Sequence, residues 1–189
     1  SVTIEGFELV GAGPRELHRL RMRYVYVFQH PTLFDAFTVE ENIALPLRYH
    51  RRGSEAEIET EVARWIDLVG VGEHRRAWPS ELPFGVQKKV SIARALSLGP
   101  AGMILDEPTT GLDPEAAAAL TSLVHDLHAE LGLTTVLVSH DRANVLRRAS
   151  RVVMIREGRL IDARLTRRGD EVAIEGDGDT ILHHFLGLP

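Results

Sequence analysis

The sequence predicts an α/β fold: a mostly parallel sheet, a helical subdomain and an antiparallel C-terminal edge. Three observations predict it. After Pro100 the apolar runs Met103-Ile104-Leu105 and Thr134 to Val138 alternate with helical patterns, the signature of parallel strands joined by crossover helices. Residues 30–100 carry helical spacing and helix start and stop signals. From Val152 onward, short alternating runs flank Glu157-Gly158, which reads as a hairpin.

The 189 residues fit one domain, or a core with a smaller lobe, and 44% hydrophobic residues can fill its interior. A net charge of -5 with 26% charged residues is close to balance, and nothing in it suggests a chain built to wrap nucleic acid or lie on an anionic bilayer. The lack of cysteine excludes disulfides, thiolate nucleophiles and cysteine zinc sites, and fits a reducing compartment. No uninterrupted apolar run approaches the ~18 residues of a spanning helix, and the start has no charged-then-apolar leader pattern, so a soluble, cytoplasmic chain is expected. Lysine occurs only at Lys88 and Lys89, against 20 arginines.

Val2 to Leu9 alternate loosely, Gly11-Ala12-Gly13-Pro14 makes a break, and Arg15 to Arg23 has helical spacing. Tyr24 to Phe28 is a strand stopped by Gln29, His30 and Pro31. From Pro31 the character becomes helical. Ser54 and Glu57 form a capping box ahead of Ile58, Val62, Trp65, Ile66 and Val69, with Gly70 as the stop. A second helix follows Gly85, with Val86, Val90, Ala93 and Leu96 on one side and Gly99-Pro100 at its end. Asp113 caps a helix from Pro114, with Leu120, Val124, Leu127 and Leu131 inward and Gly132 closing it. Thr134 to Val138 reads as a buried strand, Asp141 to Arg148 as a short helix, and Arg168-Gly169-Asp170 and Gly176-Asp177-Gly178 as turns.

An apolar strand that delivers two carboxylates at its carboxyl end presents acids to a ligand in the crevice of an open sheet. Asp106 and Glu107 stand there. Asp106 suits Mg²⁺, a hard cation that takes carboxylate and water oxygens, and Glu107 can orient or deprotonate an attacking water. Taken alone, the pair reads equally as the start of a loop or a helix cap.

The run Leu105-Asp106-Glu107-Pro108-Thr109-Thr110-Gly111-Leu112-Asp113-Pro114 closely resembles the joined Walker B and D-loop segments of ATP-binding-cassette (ABC) proteins. Val136 to Asp141 resembles the H-loop around His140, and Val27-Phe28-Gln29 the Q-loop. The resemblance implies a P-loop NTPase-like ABC fold, with ATP and Mg²⁺ as cofactors. It implies that residues 1–29 and 101–189 form the nucleotide-binding core and residues 30–100 the helical subdomain. It assigns Asp106 and Gln29 to Mg²⁺ and nucleotide, Glu107 and His140 to hydrolysis, and Asp113 to nucleotide contact.

The segment Leu82-Pro83-Phe84-Gly85-Val86, followed by Gln87 to Leu96, aligns without gaps to the family's signature, usually Leu-Ser-Gly-Gly-Gln and a basic helix. In the family this helix start binds the γ-phosphate held by the opposite subunit. Here Pro83 has neither hydroxyl nor N–H, and Phe84 places a ring where backbone approaches phosphate, at an expected rate cost of about 10²–10³-fold. Gly85 is left as the backbone contact. No Gly-x-x-x-x-Gly-Lys-Ser/Thr cradle, the Walker A motif, occurs in the 189 residues, and Gly11-Ala12-Gly13 reads as a turn. The core is therefore expected to be N-terminally incomplete and the chain inactive alone.

Phe28 to Phe34 and Thr38 to Leu47 resemble bacterial importers and lipid-trafficking ATPases, especially the Mla/Mce phospholipid group, as does the ending Ile181 to Gly187. The resemblance implies a transmembrane permease subunit and a second ABC ATPase subunit, identical or different, as partners, at the inner face of the cell membrane. Phe34, Phe37 and Leu45 are the candidate permease contacts. No nucleic acid is expected. A degenerate structural or regulatory subunit, and a soluble non-transport ATPase, are the alternatives to a transporter ATPase.

Overall fold

The computed structural model describes residues 2–141, 149–168 and 171–175. The chain divides into two compact units, Ser1–Val138 and Ser139–Pro189.

The first unit opens with two short antiparallel strands, β1 (Thr3–Ile4) and β2 (Phe7–Glu8). Glu5 (φ 50°) and Gly6 (φ 81°) turn the chain between them, a left-handed pair that suits a two-residue hairpin. Helix α1 (Pro14–Arg23) starts on Pro14, whose fixed φ suits a first helical turn, and leads directly into β3 (Tyr24–Val27).

The helical character expected from Pro31 begins only at α2 (Val39–Tyr49). Residues 31–38 are irregular because the buried Asn42 claims their backbone. Its side-chain carbonyl accepts from the Phe34 N–H at 2.9 Å, and its amide donates to the carbonyls of Phe34, Phe37 and Thr38 at 3.1, 2.9 and 3.0 Å. Helix α3 (Glu55–Leu68) carries the expected capping box: the Ser54 hydroxyl accepts from the Glu57 N–H, and the Glu57 carboxylate accepts from the Ser54 N–H at 2.7 Å. Ile58, Val62, Trp65 and Ile66 form its buried face, and Gly70 turns left-handed (φ 64°) beyond its end. Helix α4 (Phe84–Leu96) starts two residues earlier than expected, with Pro83 as its N-cap. It packs on β3, α2 and α3, so Val90, Ile92, Ala93 and Leu96 are fully covered and the core runs continuously from helices to sheet.

Strand β4 (Gly102–Asp106) lies between β3 and β5 (Thr134–Val138), parallel to both. Register aligns Val27, Leu105 and Leu137 across the three strands. Leu105 and Met103 are fully buried, as a central parallel strand requires. The crossover α5 (Pro114–Leu131) is capped by Asp113, which accepts from the Glu115 and Ala116 N–H groups at 3.0 Å, and closes on Gly132 (φ 62°). It buries Leu120 and Leu127.

The expectation that β5 is buried is corrected. Val136 is 51% and Val138 49% exposed. Their β-branched composition sets strand propensity, but among the described residues β5 pairs only with β4.

In the second unit, β6 (Arg151–Arg156), β7 (Arg159–Arg168) and β8 (Glu171–Glu175) form an antiparallel sheet in that order. The expected hairpin turns at Glu157 and Gly158, both left-handed. Arg151 and Asp162 form a two-pronged ion pair across β6 and β7. The helix expected to run from Asp141 to Arg148 lies, beyond Asp141, outside the described residues, as do the turn Gly176 to Gly178 and the ending 181–187.

Candidate functional site at the sheet's carboxyl edge

Because β3, β4 and β5 are parallel and in register, Phe28-Gln29, Asp106-Glu107 and Val138 emerge at the same edge of the sheet. The Glu107 N–H donates to the Val138 carbonyl at 2.9 Å, extending the β4–β5 ladder one step. Its backbone then turns left-handed (φ 43°), a conformation that costs a non-glycine residue about 1–3 kcal/mol. That turn swings the chain away from the sheet directly after the second acid. The Thr110 N–H bonds back to the Glu107 carbonyl at 3.2 Å, and the Thr110 hydroxyl donates to a Glu107 carboxylate oxygen at 3.2 Å.

Asp106 is held from the neighbouring strand. The Tyr26 hydroxyl donates to its Oδ2 at 2.9 Å. This bond to a carboxylate, reinforced by desolvation, pushes the Tyr26 phenol above its ordinary range. Gln29 is half-buried two residues past the end of β3, and its carbonyl accepts from Lys88 Nζ at 2.9 Å. Lys88, 4% exposed, has a pKa lowered by burial, an effect the Glu107 charge opposes.

The start of α4 lies beside the start of α5. A side chain at Gly85 would contact Leu112 Cδ2 at 3.6 Å and Ala116 Cβ at 3.9 Å. Pro83 provides no side-chain cap, and its carbonyl accepts from the Val86 and Gln87 N–H groups at 2.9 and 3.1 Å. The Phe84 ring is folded inward. It stacks edge-on to His30 at 6.3 Å, lies 4.9 Å from Lys88 Nζ, and covers Gly111, where a Cβ would stand 3.1 Å from its Cε1. Asp113 spends its carboxylate on the α5 cap. At the other glycine pair, Gly13 caps α1 and its N–H is taken by the Glu16 carboxylate at 2.9 Å, so Gly11-Ala12-Gly13 is a turn, as its residues predict.

Gln29, Asp106, Glu107, Gly85 and Asp113 all belong to the first unit. His140 belongs to the second, where it is exposed; beside it the Asp141 N–H donates to the Ser139 hydroxyl at 3.0 Å. Sequence reasoning missed Tyr26, Asn42 and Thr110 as partners of the site and its loop. Period-two alternation puts Tyr26 on one face of β3, yet the register that brings it to Asp106 depends on a strand far along the chain.

Mg²⁺ fits only in company. Among the described residues no group of three or more His, Cys, Asp or Glu side chains is placed to hold a metal. The Asp106 carboxylate, with Gln29 on the neighbouring strand's end at the same sheet edge, suits an ion that takes most of its ligands from phosphate and water.

Residues 1–110 match the family model described as ABC transporter. The methionine import ATP-binding protein MetN of Mesorhizobium japonicum is 42% identical over 161 residues, 85% of this chain and 44% of that protein. Its counterpart in Haemophilus influenzae is 37% identical over 162 residues, 86% and 47% of the two chains. The chain thus spans about half the length of these curated relatives. Among solved structures, a dimeric ATP-binding cassette in a post-hydrolysis state, bound to ADP and Pi, superposes with a TM-score of 0.74 at 27% identity, covering 85% of this chain and 71% of that one. The cbiO1 protein of Clostridium perfringens, part of the ABC transporter complex cbiONQ, superposes with a TM-score of 0.73 at 30% identity, covering 79% and 59%. Neither curated relative is named for lipid transport, so the phospholipid resemblance finds no support here. With a parallel sheet presenting Gln29 and the Asp106-Glu107 pair at one edge, and a family model matching from residue 1 to 110, the chain belongs to the ABC transporter family.

Proposed function

We propose that this chain is the ATP-binding part of an ABC importer that couples ATP binding and hydrolysis to uptake of methionine or a similar small amino acid. The observation that carries the reading is the paired acid at the end of β4, with Asp106 held by Tyr26 and Glu107 set on a left-handed turn. The relatives named for methionine import support the substrate class.

In this reading Asp106 and the Gln29 amide hold Mg²⁺, which neutralises charge on the phosphates when bound. Glu107 accepts a proton from the attacking water, and Thr110 fixes the carboxylate that does so. His140 contacts the γ-phosphate, a role that rests on its motif. Gly85, at the uncapped start of α4, offers its backbone N–H to a phosphate held by a second ATPase subunit, and Asp113 belongs to the same face. Residues 1–29 and 101–189 form the nucleotide core and 30–100 the helical subdomain that meets a permease, through Phe34, Phe37 and Leu45. The subunit docks on a membrane partner at the inner face, as its family membership suggests; no described helix is long and apolar enough to cross a membrane. Because these 189 residues contain no Gly-x-x-x-x-Gly-Lys-Ser/Thr cradle, the chain by itself does not turn over ATP.

The deciding measurement is ATP turnover and methionine uptake by the assembled transporter. Glu107→Gln should lower turnover at least ~10²-fold while leaving ATP binding intact. Unchanged turnover in that variant sinks the assignment. Pro83 and the inward Phe84 favour one second reading, a subunit that dimerises without hydrolysing. It predicts an assembled dimer in which the nucleotide held by the partner, facing Pro83 and Phe84, is not turned over.

A further inference from the structure

Residues 30–33, between β3 and α2, make no backbone–backbone hydrogen bond among the described residues. A segment with that little backbone pairing is held by side chains or moves freely. Two cations of α4 hold it. Lys88 Nζ donates to the Gln29 carbonyl at 2.9 Å, and one turn and a half further along, Arg94 donates to the Thr32 hydroxyl at 3.0 Å and lies 5.4 Å from the Phe34 ring. Burial lowers the pKa of both.

A lysine only 4% exposed is costly unless its charge is well partnered. The Gln29 carbonyl, the face of the Phe84 ring at 4.9 Å and the charge of Glu107 supply that partnering here. The same ring covers Gly111 and meets His30, the residue after Gln29, edge-on, so it lies at one end of the Lys88–Gln29 bond. The residue that breaks the signature pattern is thus used inside its own chain.

We propose that Lys88 is a positioning residue that staples the Gln29 segment to the start of α4, with the Phe84 ring shielding the bond from water. Gln29 and the signature helix then move as one piece, and Arg94 anchors the far end of the segment. The consequence for ATP rests on the role proposed for Gln29; the staple itself does not.

Limited chymotrypsin digestion of the full chain under native conditions, without nucleotide, tests it. Phe28 and Phe34 flank the segment and are exposed by 54% and 51%, while Tyr49 (78%) and Trp78 (45%) are reference sites elsewhere in the helical region. Lys88→Met removes a charge-assisted hydrogen bond and should speed cleavage at Phe28 and Phe34 about tenfold relative to Tyr49 and Trp78. Lys88→Arg keeps a donating cation beside the ring and should stay within about threefold of the parent. Should Lys88→Met fail to fold, Phe84→Leu, which strips the ring and keeps the lysine, should give a selective rise of about threefold. Equal acceleration at all four sites, or equal loosening in the Met and Arg variants, overturns the staple. Because no nucleotide is present, that failure is separate from any failure of ATP binding.

Discussion

The Tyr26 hydroxyl donates to Asp106 Oδ2 at 2.9 Å across two neighbouring parallel strands. The bond fixes one carboxylate oxygen of the proposed Mg²⁺ ligand and ties two halves of the site that lie far apart in the chain. A phenol whose proton is held by a carboxylate titrates late. Its folded pKa is raised, so its contribution to stability is complete below the ordinary tyrosine range and is lost as pH rises through the raised value. Spectrophotometric titration of Tyr24, Tyr26 and Tyr49 should show Tyr26→Phe losing a late-titrating group, and Asp106→Asn moving it back toward the ordinary range.

Asn42 satisfies four backbone groups of the segment between β3 and α2. Asn42→Ala takes the partner from the Phe34 N–H and the Phe37 carbonyl, while the Phe34 and Thr38 carbonyls keep the Phe37 and Asn42 N–H groups, and should destabilise the chain by about 1–3 kcal/mol. Urea denaturation should show a lower midpoint with an unchanged slope.

Gly102 is required by space, not by its backbone angle. A Cβ there would meet the Thr134 carbonyl oxygen at 2.6 Å and the Tyr24 ring at 3.0 Å. Gly102→Ala should cost about 1–3 kcal/mol by prising β4 from β5, seen as a drop in Tm and faster amide exchange along β5.

Ser54 and Thr38 cap α3 and α2 reciprocally with Glu57 and Glu41. Ser54→Ala should cost about 1 kcal/mol. The backbone N–H bonds from Ser54 and Thr38 hold both carboxyls below the usual carboxylate range. Their contribution is therefore present above the ordinary glutamate pKa and is lost as pH falls through the depressed values. Glu41→Gln and Glu57→Gln should each lower the neutral plateau of a stability-against-pH curve and flatten its acid limb.

The elements with local punctuation were legible in advance. Ser54 with Glu57 started α3, Asp113 with Pro114 started α5, and Gly132 and Glu157-Gly158 ended or turned the chain where expected. Each of these works through groups only a few residues apart. The irregular run after Pro31 was read as helical because the residue that holds it, Asn42, lies inside the next helix and reaches back. Burial of β5 was misread for a similar reason: β-branched residues predict extended backbone, whereas coverage depends on which elements pack against the strand. Of the site, Asp106, Glu107, Gln29 and His140 were visible as motifs, but Tyr26 and the inward turn of Phe84 were not.

By itself the sequence determined the family, the helix boundaries set by caps, and the acid pair at the end of an apolar strand, because each is written in adjacent residues. Only the tertiary structure decided that Tyr26 would hold Asp106, that Lys88 would be buried against the Gln29 carbonyl, and that Phe84 would cover Gly111. Those contacts join segments tens of residues apart, and their energies depend on parallel register and on desolvation, which exist only once α4 is packed against the sheet.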